Sequence, residues 1–277
     1  MQAHAVYRNE MDWPAFRARV TNVGRNAKSL ADAHQVIQLA LMWIDDPHTH
    51  FMTPSQFEDY TTRISRNPGP PPEARLIEGQ FGYLLLPAFS ALDAETANQF
   101  ASSVQALIRA VDAGSPCGWV VDLTTNTGGS SGPMQAGVGP ILGEGVVGAF
   151  VDPDGETYTW SYAAGQALVD DKVLTTASEP YELSHPAPPV AVLTSRRTAS
   201  AGETVVVAFR GRPDTHSFGQ PTGGLTTGVA SREMSDGGML LLAEVYFADR
   251  AGVVYDGPIA PDEVVDDGDP DAVLRLR

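Results

Sequence analysis

Residues 189–204 read P-V-A-V-L-T-S-R-R-T-A-S-A-G-E-T, and the rest of the chain is organised around them. The apolar run from Pro189 to Leu193 predicts a buried strand, and the residues from Ala199 onward predict a helix. Ser200 therefore falls on the turn between a strand and a helix. A hydroxyl at such a turn lies beside the unpaired N–H groups of a helix start, where the helix dipole favours a developing oxyanion. The position suits a nucleophile.

A purely structural interpretation of Ser200 competes with this one. Ser200 and Glu203 are spaced as a capping box, with serine at the N-cap and glutamate three residues later. Serines in such boxes usually only close the helix. The stretch by itself therefore leaves both roles open.

The chain around this stretch predicts an α/β core. Tyr83 to Leu86 and Gly118 to Leu123 read as buried strands, and Leu92 to Val111 between them reads as an amphipathic helix. Strand, helix and strand in this order predict a right-handed parallel crossover. Residues 146–162 predict a hairpin, and the polar segment 165–188 predicts a surface excursion.

The N-terminal part of the chain has a different pattern. Asp12 predicts the cap of a first helix, and residues 30–44 predict a second one that Pro47 terminates. A third short helix opens at Thr53, and the proline-rich run 67–73 reads as a linker. We therefore predict a helical cap over residues 1–75 and an α/β core over residues 76–277.

Composition excludes several classes of protein. The formal net charge of −16 over 277 residues argues against nucleic acid and anionic membrane surfaces as partners. The single cysteine, Cys117, excludes an internal disulfide, and no Cys/His spacing suggests a metal. No segment reads as a membrane span or a signal peptide, so the sequence as written predicts a cytoplasmic protein.

A glycine-rich turn follows the second predicted core strand. At Asn126 to Ser130 the sequence N-T-G-G-S would let backbone N–H groups approach a substrate oxygen, because Gly128 and Gly129 carry no Cβ. The spacing matches neither a Walker A loop nor a dinucleotide-binding turn. An oxyanion hole and a plain tight turn are the two interpretations.

A nucleophilic serine needs a base, and histidine is the remaining conventional choice. The only lysines, Lys28 and Lys172, lie in the predicted cap and in the polar excursion. His48 and His50 lie on a loop after a helix stop, a setting suited to an oriented imidazole. The other histidines lie in a helix, near the terminus or in further loops, at His34, His4, His185 and His216.

Six stretches together resemble the C-terminal-processing (tail-specific) serine peptidase family, in particular its tricorn-core branch. They occur in the family's order and span most of the chain. In this sequence they are Leu41 to Pro54 with D-D-P-H-T-H-F-M-T-P, Gly82 to Phe89, Val120 to Gly129, Val190 to Glu203, Gly219 to Gly224 with G-Q-P-T-G-G, and Tyr255 to Asp262 with Y-D-G-P-I-A-P-D.

The resemblance implies a role for each site residue. Ser200 in T-A-S-A-G-E would be the nucleophile, and the N–H groups of Ala201 and Gly128, with Gly129 as the fallback, would form the oxyanion hole. Relatives with a lysine base carry it after a G-x-x-T-x-G motif, and this chain has leucine there.

The branch with a histidine base then implies His48, with His50 as the competitor. Asp256 takes the place of that branch's orienting glutamate and is one methylene shorter. Pro47 replaces the serine that precedes the histidine in tricorn-type cores, so the polar contribution of that serine is missing or is made by Thr49.

The resemblance also implies the architecture and the reaction. We expect a crotonase-like (ClpP/crotonase type) core of βαβ units, without a PDZ module, because fewer than about thirty residues separate the third helix from the first core strand. The expected activity is cleavage of peptide bonds through a Ser-His acyl-enzyme, with a peptide or protein substrate and no cofactor. The alternatives are a non-catalytic module that binds an apolar ligand or a peptide, and an esterase or thioesterase.

Overall fold

A computed structural model describes residues 1–44 and 46–265 of the chain. Asp45, at the predicted end of the second helix, and residues 266–277 of the predicted core lie outside the described residues. The helices are α1 (Trp13–Gly24), α2 (Leu30–Met42), α3 (Pro54–Arg66), α4 (Ala94–Asp112), α5 (Ser131–Leu142) and α6 (Ala201–Phe209). The strands are β1 (His50–Met52), β2 (Glu73–Ile77), β3 (Phe81–Leu85), β4 (Gly118–Asp122), β5 (Gly145–Val151), β6 (Thr157–Ala163), β7 (Gln166–Val169), β8 (Lys172–Thr176), β9 (Val190–Thr194), β10 (Thr215–Gly219), β11 (Thr227–Glu233), β12 (Met239–Asp249), β13 (Val254–Tyr255) and β14 (Glu263–Val264).

The chain divides into two compact units. The first unit comprises residues 1–63, 151–156 and 227–246, and the second unit comprises the rest. Residues 227–246 belong with the first unit because β12 pairs antiparallel with both β1 and β11. The boundary near residue 75 remains a prediction about which part of the chain folds independently.

The second unit contains a six-stranded sheet in the order β14-β10-β9-β4-β3-β2. All neighbours are parallel except β2, which pairs antiparallel with β3. The parallel pairing of the predicted crossover is confirmed, since α4 connects the parallel strands β3 and β4. The predicted strand and helix around Ser200 are also confirmed, as β9 and α6. The chain is thus a mixed α/β protein.

Apolar side chains explain why these elements pack together. The central strands β4 and β9 carry Val121 and Val192, both almost fully buried. Helix α4 buries one face through Phe100, Val104 and Ile108, as its spacing predicts. This core supports the carboxyl ends of β4 and β9, from which the candidate site begins.

The prediction for residues 165–188 is wrong in part. Instead of a plain surface excursion, β7 and β8 continue the β5-β6 hairpin as an antiparallel meander. Ala167 and Thr175 are buried there, although the segment is polar overall. Short strands with polar outer faces give a weak sequence signal, because their pairing is set by neighbours rather than by their own composition.

The first unit packs around its own apolar cluster. Tyr7, Trp13, Phe51 and Leu242 are buried in it. Asp12 caps α1 by accepting the N–H of Ala15, as predicted. The loop between α2 and β1 carries His48. Within the part of the chain that is described, no helix is long and apolar enough to cross a membrane.

Candidate active site around Ser200

Ser200 has an unusual backbone conformation. Its φ of 52° and ψ of −120° are those of the first central residue of a type II′ turn, a position that normally requires glycine. The turn is closed by the N–H of Gly202, which donates to the carbonyl oxygen of Ala199 at 2.9 Å. A non-glycine residue at positive φ costs free energy and persists only where the surroundings impose it, as they often do at functional sites.

Glu203 holds this turn from inside the protein. Its side chain is fully buried, and Oε2 accepts the N–H of Ser200 at 2.7 Å. Oε1 accepts the hydroxyl of Thr222 at 2.5 Å and the N–H of Gly224 at 2.8 Å. The glutamate half of the predicted capping box is therefore present. It also ties the turn to residues 222–224, a link that the local pattern did not predict.

Burial raises the pKa of the Glu203 carboxyl above its usual value, while its hydrogen-bond donors act in the opposite direction. A carboxyl group with this surrounding is a structural acceptor rather than a surface charge. It fixes the peptide plane that precedes the Ser200 side chain.

Gly128 approaches the turn closely. Its φ is +107°, and a Cβ built on it would lie 2.9 Å from the Cβ of Ser200 and 3.3 Å from the nitrogen of Ala201. Any side chain at position 128 would therefore collide with the serine turn. The structure thus brings together Ser200, Ala201 and Gly128, three residues that the sequence singled out.

The possible oxyanion donors differ in their present partners. Among the described residues, the N–H of Ala201 makes no backbone hydrogen bond, as expected for the first residue of a helix. The N–H of Gly128 donates to Oδ1 of Asn126 at 3.0 Å. Gly129, the fallback donor, lies against the carbonyl group of Phe89.

Asn126 is a residue that the sequence reasoning did not assign to the site. Its side chain is fully buried, and Nδ2 donates to the carbonyl oxygens of Leu86 and Pro87 at 3.1 and 3.2 Å. The backbone carbonyl oxygen of Asn126 accepts the N–H of Ala199 at 3.0 Å. Asn126 thereby links the glycine turn to the serine turn. Its signal in the sequence is its place as the first residue of the glycine-rich turn that follows a buried strand.

His48 lies in the first unit, on the loop before β1. Its side chain is buried, and Nδ1 of the ring lies 2.8 Å from Oγ1 of Thr227. Its backbone N–H donates to Oδ1 of Asp46 at 3.0 Å. Burial lowers the pKa of His48, and the negative charge of Asp46 partly offsets that effect. His50, the competitor, is exposed at the start of β1.

Two predicted roles thus remain predictions. His48 belongs to the first unit and Ser200 to the second, so their pairing as base and nucleophile rests on the sequence. Asp256 follows β13 and is exposed to solvent. Its orienting role likewise rests on the resemblance of its motif.

Comparison with known proteins defines the class. The chain belongs to Peptidase family S41, whose family description matches residues 80–265 and thus includes the whole serine turn. This confirms the resemblance inferred from the six motifs.

Individual relatives are distant. The chain is 24% identical to the nisin-resistance protein of Lactococcus lactis subsp. lactis over 271 residues, which covers 95% of this chain and 79% of the relative. Among solved structures, a lipoprotein from Streptococcus agalactiae superposes with a TM-score of 0.80 at 24% identity, covering 95% and 87% of the two chains. The photosystem II D1 C-terminal processing protease superposes with a TM-score of 0.63 at 16% identity, covering 99% and 93%. These likenesses establish the fold.

Proposed function

We propose that the protein is a serine-type peptidase that cleaves peptide bonds through an acyl-enzyme on Ser200. The observation that carries the proposal is the strained turn of Ser200 at the start of α6, with the Gly128 backbone directly beside it. A hydroxyl in this setting projects from a fixed backbone next to the N–H groups of a helix start. Membership of Peptidase family S41 supports the same reaction.

The proposed reaction uses His48 as the base. His48 takes the proton of Ser200, and Oγ attacks the carbonyl carbon of the peptide bond. The N–H groups of Ala201 and Gly128 hold the negative oxygen; Gly128 exchanges its bond to Asn126 for this one. His48 then gives the proton to the leaving amine, and water attacks the acyl-enzyme to release the acid and restore Ser200.

The substrate class follows from charge and from a relative's name. A protein of net charge −16 attracts positively charged peptides at low ionic strength. The Lactococcus relative is named for resistance to nisin, so nisin belongs in the test panel beside unrelated peptides. We propose a cationic peptide as the substrate and, in line with the parallel βαβ core, retain the crotonase-like classification as part of the proposal.

The cellular location needs its own test. The cytoplasmic location predicted from the sequence is one proposal, and a surface location is the other because the Streptococcus neighbour is described as a lipoprotein. Fractionation of the native cells separates the two.

Mass spectrometry of peptide mixtures tests the proposed activity. The wild-type protein should cleave peptides, and Ser200→Ala and His48→Ala should each leave the peptides intact while remaining folded. An ester with the same acyl group, assayed in parallel, separates peptidase from esterase activity. Cleavage of esters alone, or binding of peptides without cleavage, would replace the proposal by the corresponding alternative.

A further inference from the structure

Within the first unit, the His48 ring is hydrogen-bonded to the side chain of a threonine, whose backbone also hydrogen-bonds to His48. Nδ1 of His48 lies 2.8 Å from Oγ1 of Thr227, the first residue of β11. The sequence reasoning placed Asp256 in the orienting role and assigned nothing to Thr227. The first unit thus offers a hydroxyl where serine peptidases of the triad type offer a carboxylate.

Both partners of this hydrogen bond are held by the same strand. β11 pairs with β12, with Thr227 opposite Tyr246. β12 also pairs with β1. There His50, two residues after His48, lies opposite Leu241. The register shifts between Gly228 and Val229, where Glu244 is the extra residue on β12.

The backbone of the His48 loop is fixed independently. Oδ1 of Asp46 accepts a hydrogen bond from the backbone N–H of His48 at 3.0 Å. Oδ2 of Asp46 accepts one from the hydroxyl of Thr49 at 2.5 Å. The Thr49 hydroxyl in turn accepts the N–H of Ala243 on β12 at 3.0 Å. With the backbone held in this way, the bond to Thr227 fixes the rotation of the imidazole ring.

The hydrogen bond also selects a tautomer. An imidazole that is to receive a proton on Nε2 must carry its hydrogen on Nδ1. A threonine oxygen accepts that N–H and, unlike a carboxylate, brings no negative charge. The hydroxyl can therefore orient the ring and leave its basicity to be set by the surroundings.

We propose that Thr227 is a positioning residue for the peptidase reaction: its hydroxyl accepts the Nδ1–H of His48 and leaves the Nε2 lone pair for the proton of Ser200. The proposal rests on the proposed function, because it takes His48 as the base. It adds that the orienting group is uncharged and lies on β11.

Three variants test the role in the full chain. Thr227→Val keeps the shape and removes the hydroxyl, and we expect kcat to fall by about 10- to 100-fold with KM nearly unchanged. Thr227→Ser should recover kcat to within about threefold, since it restores the acceptor. Ser231→Ala, which removes an exposed hydroxyl from the same strand, should change neither constant.

Nitrogen NMR of ring-labelled histidine supplies the readout that a merely structural role would not move. Above its pKa, His48 of the wild type should show a protonated Nδ1 and an unprotonated Nε2, and Thr227→Val should mix the two tautomers. His48→Gln assigns the signal. An unprotonated Nδ1 in the wild type overturns the proposal, even if the valine variant does not fold.

The outcomes separate this proposal from the proposed function. If Ser200→Ala and His48→Ala still cleave peptides, the proposed function itself fails. If those variants are inactive while Thr227→Val keeps wild-type kcat and tautomer, only the role of Thr227 fails. Loss of activity in Asp256→Asn together with a silent Thr227→Val would assign the orienting role to Asp256.

Discussion

The buried carboxyl of Glu203 accepts the backbone N–H of Ser200 at 2.7 Å, so the residue three positions after the serine fixes the peptide plane that leads into it. The same carboxyl accepts hydrogen bonds from the hydroxyl of Thr222 and the backbone N–H of Gly224, which lie on a distant loop. The conformation of the serine turn thus depends on one side chain that belongs to the helix and contacts the loop.

Glu203→Gln tests this dependence. In the wild type, hydrogen-bond donors approach both carboxyl oxygens of Glu203. The glutamine amide has only one oxygen, so its NH₂ group must face a backbone N–H that has lost its acceptor. We expect about 1–3 kcal/mol lower stability and a large loss of kcat. Glu95→Gln, at an exposed position in the first turn of α4, is the matched control and should be silent.

The sign of the pH dependence of that stability difference is fixed by the raised pKa of Glu203. The folded state binds the proton of Glu203 more tightly than the unfolded state does. The resulting contribution to the free energy of unfolding is complete below the usual glutamate pKa of 4.5 and is lost as pH rises through the folded-state pKa. The advantage of wild type over Glu203→Gln in urea unfolding should narrow over that range. A difference that widens would contradict the assignment.

Replacing Ser200 by glycine should stabilise the protein relative to alanine. Both variants lack the nucleophile and should be inactive, yet only glycine adopts a φ of 52° and a ψ of −120° without strain. We expect Ser200→Gly to exceed Ser200→Ala by about 1 kcal/mol in unfolding free energy. Equal urea midpoints would mean that the turn relaxes in the variants and that the strain is absent.

Gly128→Ala should disable catalysis through contact with the serine turn. The new methyl group would press on the Cβ of Ser200, displacing the nucleophile and the adjacent N–H groups, and we expect a loss of about 100-fold or more in kcat. Gly143→Ala is the control, because Gly143 also has a positive φ, +89°, but open space around it. If both variants lose stability and only Gly128→Ala loses kcat, the loss of kcat comes from the contact with the serine turn and not from the general cost of alanine at a positive φ.

The acid limb of kcat/KM should lie below the 6.5 of an unperturbed imidazole, because burial lowers the pKa of His48 and a base must be neutral to act. Asp46 raises this pKa and His50 lowers it. His50→Gln should therefore stay active and move the limb to higher pH. An inactive His50→Gln with an active His48→Ala would reverse the assignment of the base.

The parts of the fold that the sequence predicted are those set by local patterns. The strand before Ser200, its helix and the α4 crossover follow from apolar periodicity and from helix caps within a few residues. The strands β7, β8 and β11 were missed because polar, half-exposed strands are defined by their pairing partners.

The candidate site divides in the same way. Ser200, Gly128 and Ala201 were predicted from motifs, and the structure brings them together. Asn126, the loop contacts of Glu203 and the Thr227 hydroxyl were missed, because each depends on a partner many residues away. No periodicity or cap signal reports such a contact; only the fold brings the two groups into reach.

Covalent labelling by a fluorophosphonate, followed by peptide mapping, shows directly whether Ser200 is the nucleophile. We expect one adduct per chain, on Ser200, formed by the wild type, absent from Ser200→Ala and strongly slowed in His48→Ala. We also expect labelling and peptide cleavage to be lost in parallel. An unlabelled Ser200 in a protein that still cleaves peptides, or labelling at another serine, would contradict this assignment.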